Sequence, residues 1–437
     1  MGNSILDIGV SGLLAAQNQL QITSHNISNI DTPGFNRQRV IQSTNTPQTI
    51  AAGYVGRGVH SASVQRIYSQ FLVSQSLQVQ TQSQSLDTNY AQIKQLDNMF
   101  AEATSGLSPA LQNFFSAIQD VATNPSVVSS RQAMLSNAEA LVSRFQSMDE
   151  RMSQMREGVN TQITSSVVEI NSFANEIAQI NQQIILAEGV SGGEPPNDLL
   201  DQRDDLINQL SKLINTDTVK QSDGSVNVYV GNGHAIVVGS QKLSLETIVS
   251  PDNPDNLTLG LVSANQTIQL PEDQITGGAL GGILAFRRDS LDGAQNALGR
   301  VAMTLAQTFN EQHQLGVDLN GDMGKELFTV SSPKIISAST NNAASNITAS
   351  ISDFGALTTS DYQFSYDGTN YTLTNLSDNS SVSTAVIPSG ATPLTLDGLS
   401  VTGAAILPNE RFLIQPTVNG AKGIAVNITD TTEIAAA

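Results

Sequence analysis

From Leu6 to Ile30 the chain repeats at steps of three and four, through Leu6, Gly9, Leu13, Ala16, Leu20, Thr23, Ile27 and Ile30. This spacing draws a narrow coiled-coil seam, not the broader apolar stripe by which a surface helix joins its own core. Asp7 is the only acidic or basic side chain in residues 1–30, apart from His25. A helix over about 4–30 would extend roughly 40 Å. Burying its five large seam residues is worth on the order of 10 kcal/mol, against about 1 to 2 kcal/mol per residue for ordering the backbone. Such a helix needs a partner from elsewhere in the chain or from other subunits, and residues 1–68 are expected to be mobile in a free monomer.

The helix has a marked end. Pro33 disfavours a helical conformation at Thr32, and Thr32-Pro33-Gly34-Phe35 fits a type II turn with Pro second and Gly third. Asn26 and Asn29 stand three apart in the last turn, and Arg37 follows in the tract SHNISNIDTPGFNRQRV. A short heptad at the N-terminus followed by this tract resembles the N-terminal signature of the bacterial flagellar axial proteins, the rod, hook and hook-associated proteins. The resemblance implies an assembly seam at Leu6, Leu13, Ala16, Leu20, Ile27 and Ile30, and a signature turn at Asn26, Asn29, Pro33, Gly34, Phe35 and Arg37.

The remaining chain predicts a mainly α protein with β: an N-terminal coiled-coil helix, a long antiparallel helical bundle with a small β-hairpin subdomain, and a C-terminal mostly β domain. Residues 1–68 read as the axial-core helix plus an extended connector, 69–328 as the bundle with a hairpin insert at about 218–270, and 329–437 as the β domain. Gln70 to Glu102 is expected to be helical, with Leu72, Leu77, Val79, Leu86, Ile93, Leu96 and Phe100 as buried candidates. A second helix is expected at about 109–122. The longest, at about 126–188, repeats every seven residues through Met134, Leu141, Met148 and Met155, and through Ala138, Phe145, Met152 and Val159. The period continues after a shift at Ile163, Ile170, Ile177 and Ile184. A helix begins after Pro195-Pro196, hairpins surround Gly231-Asn232-Gly233 and Gly239-Ser240, and another long helix spans about 280–314.

The blocks FLVSQSLQ, SSRQAMLSNAEALVSRF, PPNDLLDQRDDLINQLS and LGGILAFRRDSL resemble the hook-associated branch of the axial proteins. The resemblance implies a structural protein that joins hook to filament and self-assembles. Its implied partners are the hook protein, the second hook-filament junction protein and other copies of itself, with an export chaperone at the C-terminal end. It also implies an extracellular place in the flagellum, reached through the flagellar type III channel without a cleaved signal peptide. Family members close with a C-terminal heptad helix that returns to the core. None precedes Ala437, so the β domain is expected to be truncated before that return. A distal rod or hook subunit is the alternative in the same class. An adhesin or lytic enzyme on the C-terminal domain is the alternative from another class.

Composition constrains chemistry. Cysteine and tryptophan are absent and aromatics make up 5%, which removes disulfides, thiolate nucleophiles and Cys-based metal sites. Residues 1–100 carry a net charge of +1, leaving −20 on the rest. An acidic body of this kind argues against nucleic acid, and no apolar run is long enough for membrane insertion. Gly189-Val190-Ser191-Gly192-Gly193 satisfies G-x-S-x-G, but a long helix and not a strand precedes it, so it reads as a loop. His25, His60, His234 and His313 are scattered, and a capping or packing role is expected for His25. Asp318, Asn320, Asp322 and Glu326 resemble half a calcium loop, yet Met323 and Thr329 occupy positions that need Gly and Glu. Asp198, Asp201, Asp204 and Asp205 with Arg203 share one helix and read as a solvated face or inter-subunit contact. No catalytic, metal or cofactor-binding residues are assigned, and no cofactor.

Overall fold

The computed structural model describes the chain apart from residues 1, 52, 102–105, 232, 264–265, 405 and 437, and the side chains of 2–4 and 404. The N-terminal seam lies on helix α1 (Gly2–Ser28). The connector forms strands β1 (Gln38–Thr44), β2 (Gln48–Ile50), β3 (Gly53–Val55) and β4 (Val59–Arg66). Helices α2 (Gln70–Phe100), α3 (Leu107–Thr123), α4 (Val128–Ser191) and α5 (Asn197–Leu213) follow. Strands β5 (Thr216–Lys220), β6 (Val226–Val230), β7 (His234–Val238) and β8 (Gln241–Lys242) form an antiparallel sheet in that order. They are succeeded by β9 (Ser244–Val249), β10 (Leu257–Ser263) and β11 (Gln266–Leu270). Within the predicted hairpin, Gly231 and Gly233 have positive φ, and Asn232 lies outside the described residues.

The helix predicted over 280–314 is three pieces: α6 (Gly278–Phe286), a π-helical turn at Arg287–Leu291, and α7 (Asp292–His313). The wider turn coincides with a buried Arg287, whose guanidinium donates to Leu257 O at 2.8 Å and to Asn160 Oδ1 at 3.4 Å.

The C-terminal region holds β12 (Lys334–Ser337), β13 (Asn346–Ile351), β14 (Tyr362–Tyr366), β15 (Tyr371–Asn375), β16 (Ser381–Thr384), β17 (Leu394–Leu396), β18 (Leu399–Ala404) and β19 (Glu410–Gln415), then one helical turn, α8 (Gly420–Gly423). A five-stranded sheet, β12-β19-β14-β15-β16, and a three-stranded sheet, β13-β18-β17, enclose a core that includes Tyr362, Phe364, Leu373, Leu399, Val401 and Phe412. The strand region predicted over 329–437 ends at Gln415. The chain then runs back along helices of the same compact unit, burying Ile424, Ile428 and Ile434, and Ile434 O accepts from Arg131 Nη1 at 2.6 Å.

Two compact units result: residues 1–88, 164–247 and 259–282 make the first, and 89–163, 248–258 and 283–437 the second. Along α4 the predicted heptads face inward. Met134, Leu141, Met148, Ala138, Phe145, Met152, Val159, Ile163, Ile170, Ile177 and Ile184 are all buried, and Met155 is half-buried.

Helix α2 corrects the sequence reading. Leu96 is buried and Leu77 half-buried, but Leu72, Val79, Leu86, Ile93 and Phe100 are exposed. Beyond Leu77 the inward positions are the small, polar Thr81 and Ser85, because backbones come close there. A Cβ on Gly282 would lie 2.3 Å from Ser85 O, and Thr81 Oγ1 donates to Ser211 O at 2.9 Å. Large side chains cannot enter so narrow a gap.

Candidate functional site

Helix α1 docks on the β1–β4 hairpin through small and polar residues. Ala15 is 2% exposed. Ser11 Oγ accepts from Val59 N at 3.2 Å, and Asn18 Nδ2 donates to Ser61 Oγ at 3.0 Å. Gly58, at φ +86, makes this approach possible, because a Cβ there would fall 2.1 Å from Ser11 Oγ. The opposite side of α1 is the seam. Leu6, Leu13, Leu20, Ile27 and Ile30 are between 67% and 77% exposed, and Ala16 is also exposed. The structure therefore lines Leu6, Leu13, Ala16, Leu20 and Ile27 along one exposed face of α1, with Ile30 exposed in the turn that follows it.

The signature residues fix the exit of that helix. Asn26 clasps Gln38 by both backbone groups: Nδ2 donates to Gln38 O and Oδ1 accepts from Gln38 N, both at 2.8 Å. Asn171 treats Leu245 in the same way, and Asn310 treats Phe328 so. The amide side chain matches a peptide group in donor and acceptor, so it satisfies backbone positions that would otherwise be stranded. Asn29 Nδ2 donates to His25 O at 3.0 Å, and its own carbonyl accepts from Thr32 N at 3.0 Å. Past Pro33, Phe35 N donates to Thr32 O at 3.2 Å, and Gly34 has φ +77, the left-handed value that the third position of a type II turn requires. A Cβ on Gly34 would also lie 2.7 Å from Asp205 Cβ, so close approach adds a second need for glycine.

Asp205 belongs to α5, which holds the turn from outside. The helix starts beyond Pro196 with Asp198 in its first turn and Lys212 in its last, as the helix dipole favours. Leu200, Ile207 and Leu210 are its buried apolar residues. Its acidic row receives the signature segment. Asp201 is 5% exposed, and its carboxylate accepts from Asn36 N at 2.9 Å, Asn36 Nδ2 at 2.8 Å and Arg66 Nη1 at 2.7 Å. Arg66 Nη1 also reaches Asp204 Oδ2 at 2.9 Å, and its guanidinium stands 4.8 Å from the Tyr68 ring centroid. Burial works against the Arg66 charge, yet the hydrogen bonds and charges of Asp201 and Asp204 hold its pKa above the ordinary value. Asp198 Oδ1 accepts from Gln38 Nε2 at 2.8 Å and lies 3.3 Å from His25 Nε2, whose ring packs edge-on against Phe35.

On α5, Asp201 and Asp204 thus form an intrachain latch on the N-terminal turn where the sequence reading had a surface face, while Asp198 stays exposed. Sequence reasoning found the carboxylates but not their answering groups, Arg66, Asn36 and Gln38. The available signal was the like-charge spacing of Asp201 and Asp205, which calls for a cation within reach.

Arg37 contributes its carbonyl to Ile67 N at 2.8 Å and leaves its side chain exposed. With Arg39 it lines an open groove of about 750 Å³ beside the C-terminal half of α1, which includes Ile27, Ile30, Phe35 and Ile67. The other sequence motifs lead elsewhere. Ser191 is the last residue of α4, and its Oγ donates to Glu188 O and Glu194 O. Asp318 Oδ1 accepts from the backbone of Asn320 and Asp322 in a polar turn. Among the described residues no group of His, Asp or Glu could hold a metal ion, and no helix is long and apolar enough to cross a membrane.

Three families of known proteins match the chain: flagella basal body rod protein over residues 6–36, the helical domain of flagellar hook-associated protein FlgK over 93–328, and the D2-like domain of flagellar hook-associated protein 1 over 336–416. Over its full length the chain is 36% identical to flagellar hook-associated protein 1 of Salmonella typhimurium and 35% identical to that of Escherichia coli, covering 79% and 80% of them. It is also similar to the solved flagellar hook junction protein FlgK from Burkholderia pseudomallei, at 37% identity and a TM-score of 0.75. That match covers 82% of this chain and 65% of the other.

Proposed function

Because this chain belongs to the family of flagellar hook-associated protein 1, a structural component of the flagellar axis, we propose that it joins hook to filament by burying the α1 seam among neighbouring axial subunits. The observation that supports this is the reversed polarity of α1, a helix already docked whose polar side faces its own chain and whose large aliphatic side chains face out. Full burial of a Leu or Ile is worth about 1.5 to 3 kcal/mol, so the seam supplies ample association energy once copies meet. The latch from α5 gives the helix a fixed exit, so that little ordering of the turn remains to oppose assembly.

The neighbours in this reading are other copies of the chain, the hook protein on one side and the second junction protein on the other, with an export chaperone on the C-terminal end before assembly. Export would pass through the flagellar type III channel, for which a cysteine-free chain is suitable. The role is mechanical and involves no bond chemistry. A strain lacking the protein, complemented with the Leu13→Asp, Leu20→Asp variant, tests it. Electron microscopy should find hooks without filaments, while the purified variant melts as the parent does. Filaments in normal number would sink the proposal.

A further inference from the structure

We propose that the fold makes Asn320-Gly321 a site of spontaneous modification, where asparagine converts to aspartate and isoaspartate through a cyclic imide, while it shelters Asn419-Gly420. The conversion loosens the hold of the Asn320 turn on residues 430–436.

The chain holds three Asn-Gly pairs, Asn232-Gly233, Asn320-Gly321 and Asn419-Gly420, and Asn232 lies outside the described residues. Glycine after asparagine puts no Cβ beside the backbone nitrogen, so that nitrogen can be approached closely. The fold then treats the two described pairs differently. Asn320 and Gly321 are exposed at the tip of a small hairpin in which Val317 pairs with Met323 and Asp318 N donates to Asp322 O at 2.9 Å. Leu319-Asn320-Gly321 is its three-residue loop, and Gly321 takes φ +87, the left-handed position that such a loop reserves for glycine. The Gly321 nitrogen is held by a long bond, 3.3 Å to Asp318 O. Gly420 is instead buried in α8, its nitrogen donates to Thr417 O at 2.9 Å, and a Cβ on it would lie 2.3 Å from Gly299 O. Asn419 O accepts from Gly423 N at 2.8 Å and from Ser331 Oγ at 3.1 Å. Closing a ring at Asn419 must turn a peptide against packed backbone, whereas at Asn320 it turns a solvent-facing loop.

The reaction needs water and no other reagent. Gly321 N attacks Asn320 Cγ, the Cγ–Nδ2 bond breaks, and Nδ2 leaves as ammonia with the proton lost from Gly321 N. Water then opens the imide at either carbonyl and returns a proton to the nitrogen, which gives aspartate or an isoaspartate whose main chain runs through the former side chain.

Both products disturb the same contacts. Asn320 Nδ2 donates to Asp318 Oδ2 at 3.3 Å and to Thr432 Oγ1 at 3.4 Å. Aspartate puts a negative oxygen where that donor stood, facing the Asp318 carboxylate. Isoaspartate adds a methylene to the main chain of a loop whose Leu319 N donates to Thr432 O at 3.1 Å. Val317 O, at the base of the same hairpin, accepts from Ala436 N at 3.2 Å.

Peptide mass spectrometry of the purified chain, incubated at neutral pH, tests the site. The hydrogen bonds and packing at Gly420 slow ring closure there by about tenfold or more, so Asn320 should convert at least about tenfold faster than Asn419. In urea the two rates should converge. No conversion at Asn320, or equal rates in the folded chain, overturns the site, and a gap that persists in urea overturns the role given to the fold. Aged molecules, separated by their added negative charge, should exchange amide hydrogens faster at 430–436 than fresh ones, with α4 unchanged. The Asn320→Gln variant, aged in the same way, should show no such rise. Equal exchange in aged and fresh parent molecules, or the same rise in the aged variant, overturns the loosening.

Discussion

Helices α1 and α4 carry the same heptad spacing and turn it in opposite directions. In α4 the repeats through Phe145 and Ile163 are fully buried, and in α1 the repeat through Leu13 and Leu20 is more than two-thirds exposed. Helix α2 sides with α1, exposing Leu72, Val79 and Leu86. The cause lies on the opposite face. Where Ser11 meets Gly58 and Ser85 meets Gly282, the partner backbone comes so near that only small or polar groups fit. Where the neighbouring elements stand further off, as around α4, large side chains fill the gap. A seven-residue period therefore reports that a seam exists and leaves open who closes it.

The contrast can be broken by substitution. Phe145→Ala should cost about 3 to 5 kcal/mol in chemical denaturation, through lost transfer energy and a cavity. An equal loss from Leu13→Ala in the monomer would abolish the distinction between the two helices. Asp201→Ala should cost about 3 kcal/mol by leaving the Arg66 charge buried with one partner fewer. Hydrogen exchange should rise at residues 36–38, while the α4 amides keep their protection. Asn26→Ala removes both bonds to Gln38 and should cost about 1 to 3 kcal/mol, read as faster exchange at the Gln38 amide.

A smaller effect is expected with pH in the second unit. His313 Nδ1 donates to Lys325 O at 2.6 Å and Nε2 accepts from Ala435 N at 2.8 Å, so the neutral ring is the one that fits. Burial holds its pKa below the ordinary 6.5. Below 6.5 the unfolded chain then binds more protons than the folded one, and stability falls as pH drops through that value. Melting at pH 7.5 and 5.5 should differ more for the parent than for His313→Gln. Smallest of all, Leu13→Ala and Val79→Ala should shift monomer stability by less than about 0.5 kcal/mol, measured by thermal melting below the concentration at which copies associate.

Much of the helical layout was legible. Long apolar repeats and strong stops, such as Pro33 after Ile30 and Pro195-Pro196 before α5, set element type and approximate ends. The buried face of α2 was misread because the periodic apolar residues were assigned to the interior, whereas its first half docks through Thr81 and Ser85. The latch was half legible. The acidic row on α5 announced itself through like-charge spacing, but Arg66 and Asn36 lie more than a hundred residues away in sequence, and no local pattern links them.

The sequence by itself determined the periods, the turn at Thr32–Phe35 and the cysteine-free, charge-segregated composition, because those depend on spacing, backbone sterics and residue chemistry alone. The tertiary structure decided which face of each helix is buried and which cation answers Asp201. Both depend on how closely distant segments approach, and that distance is set only once the chain has folded.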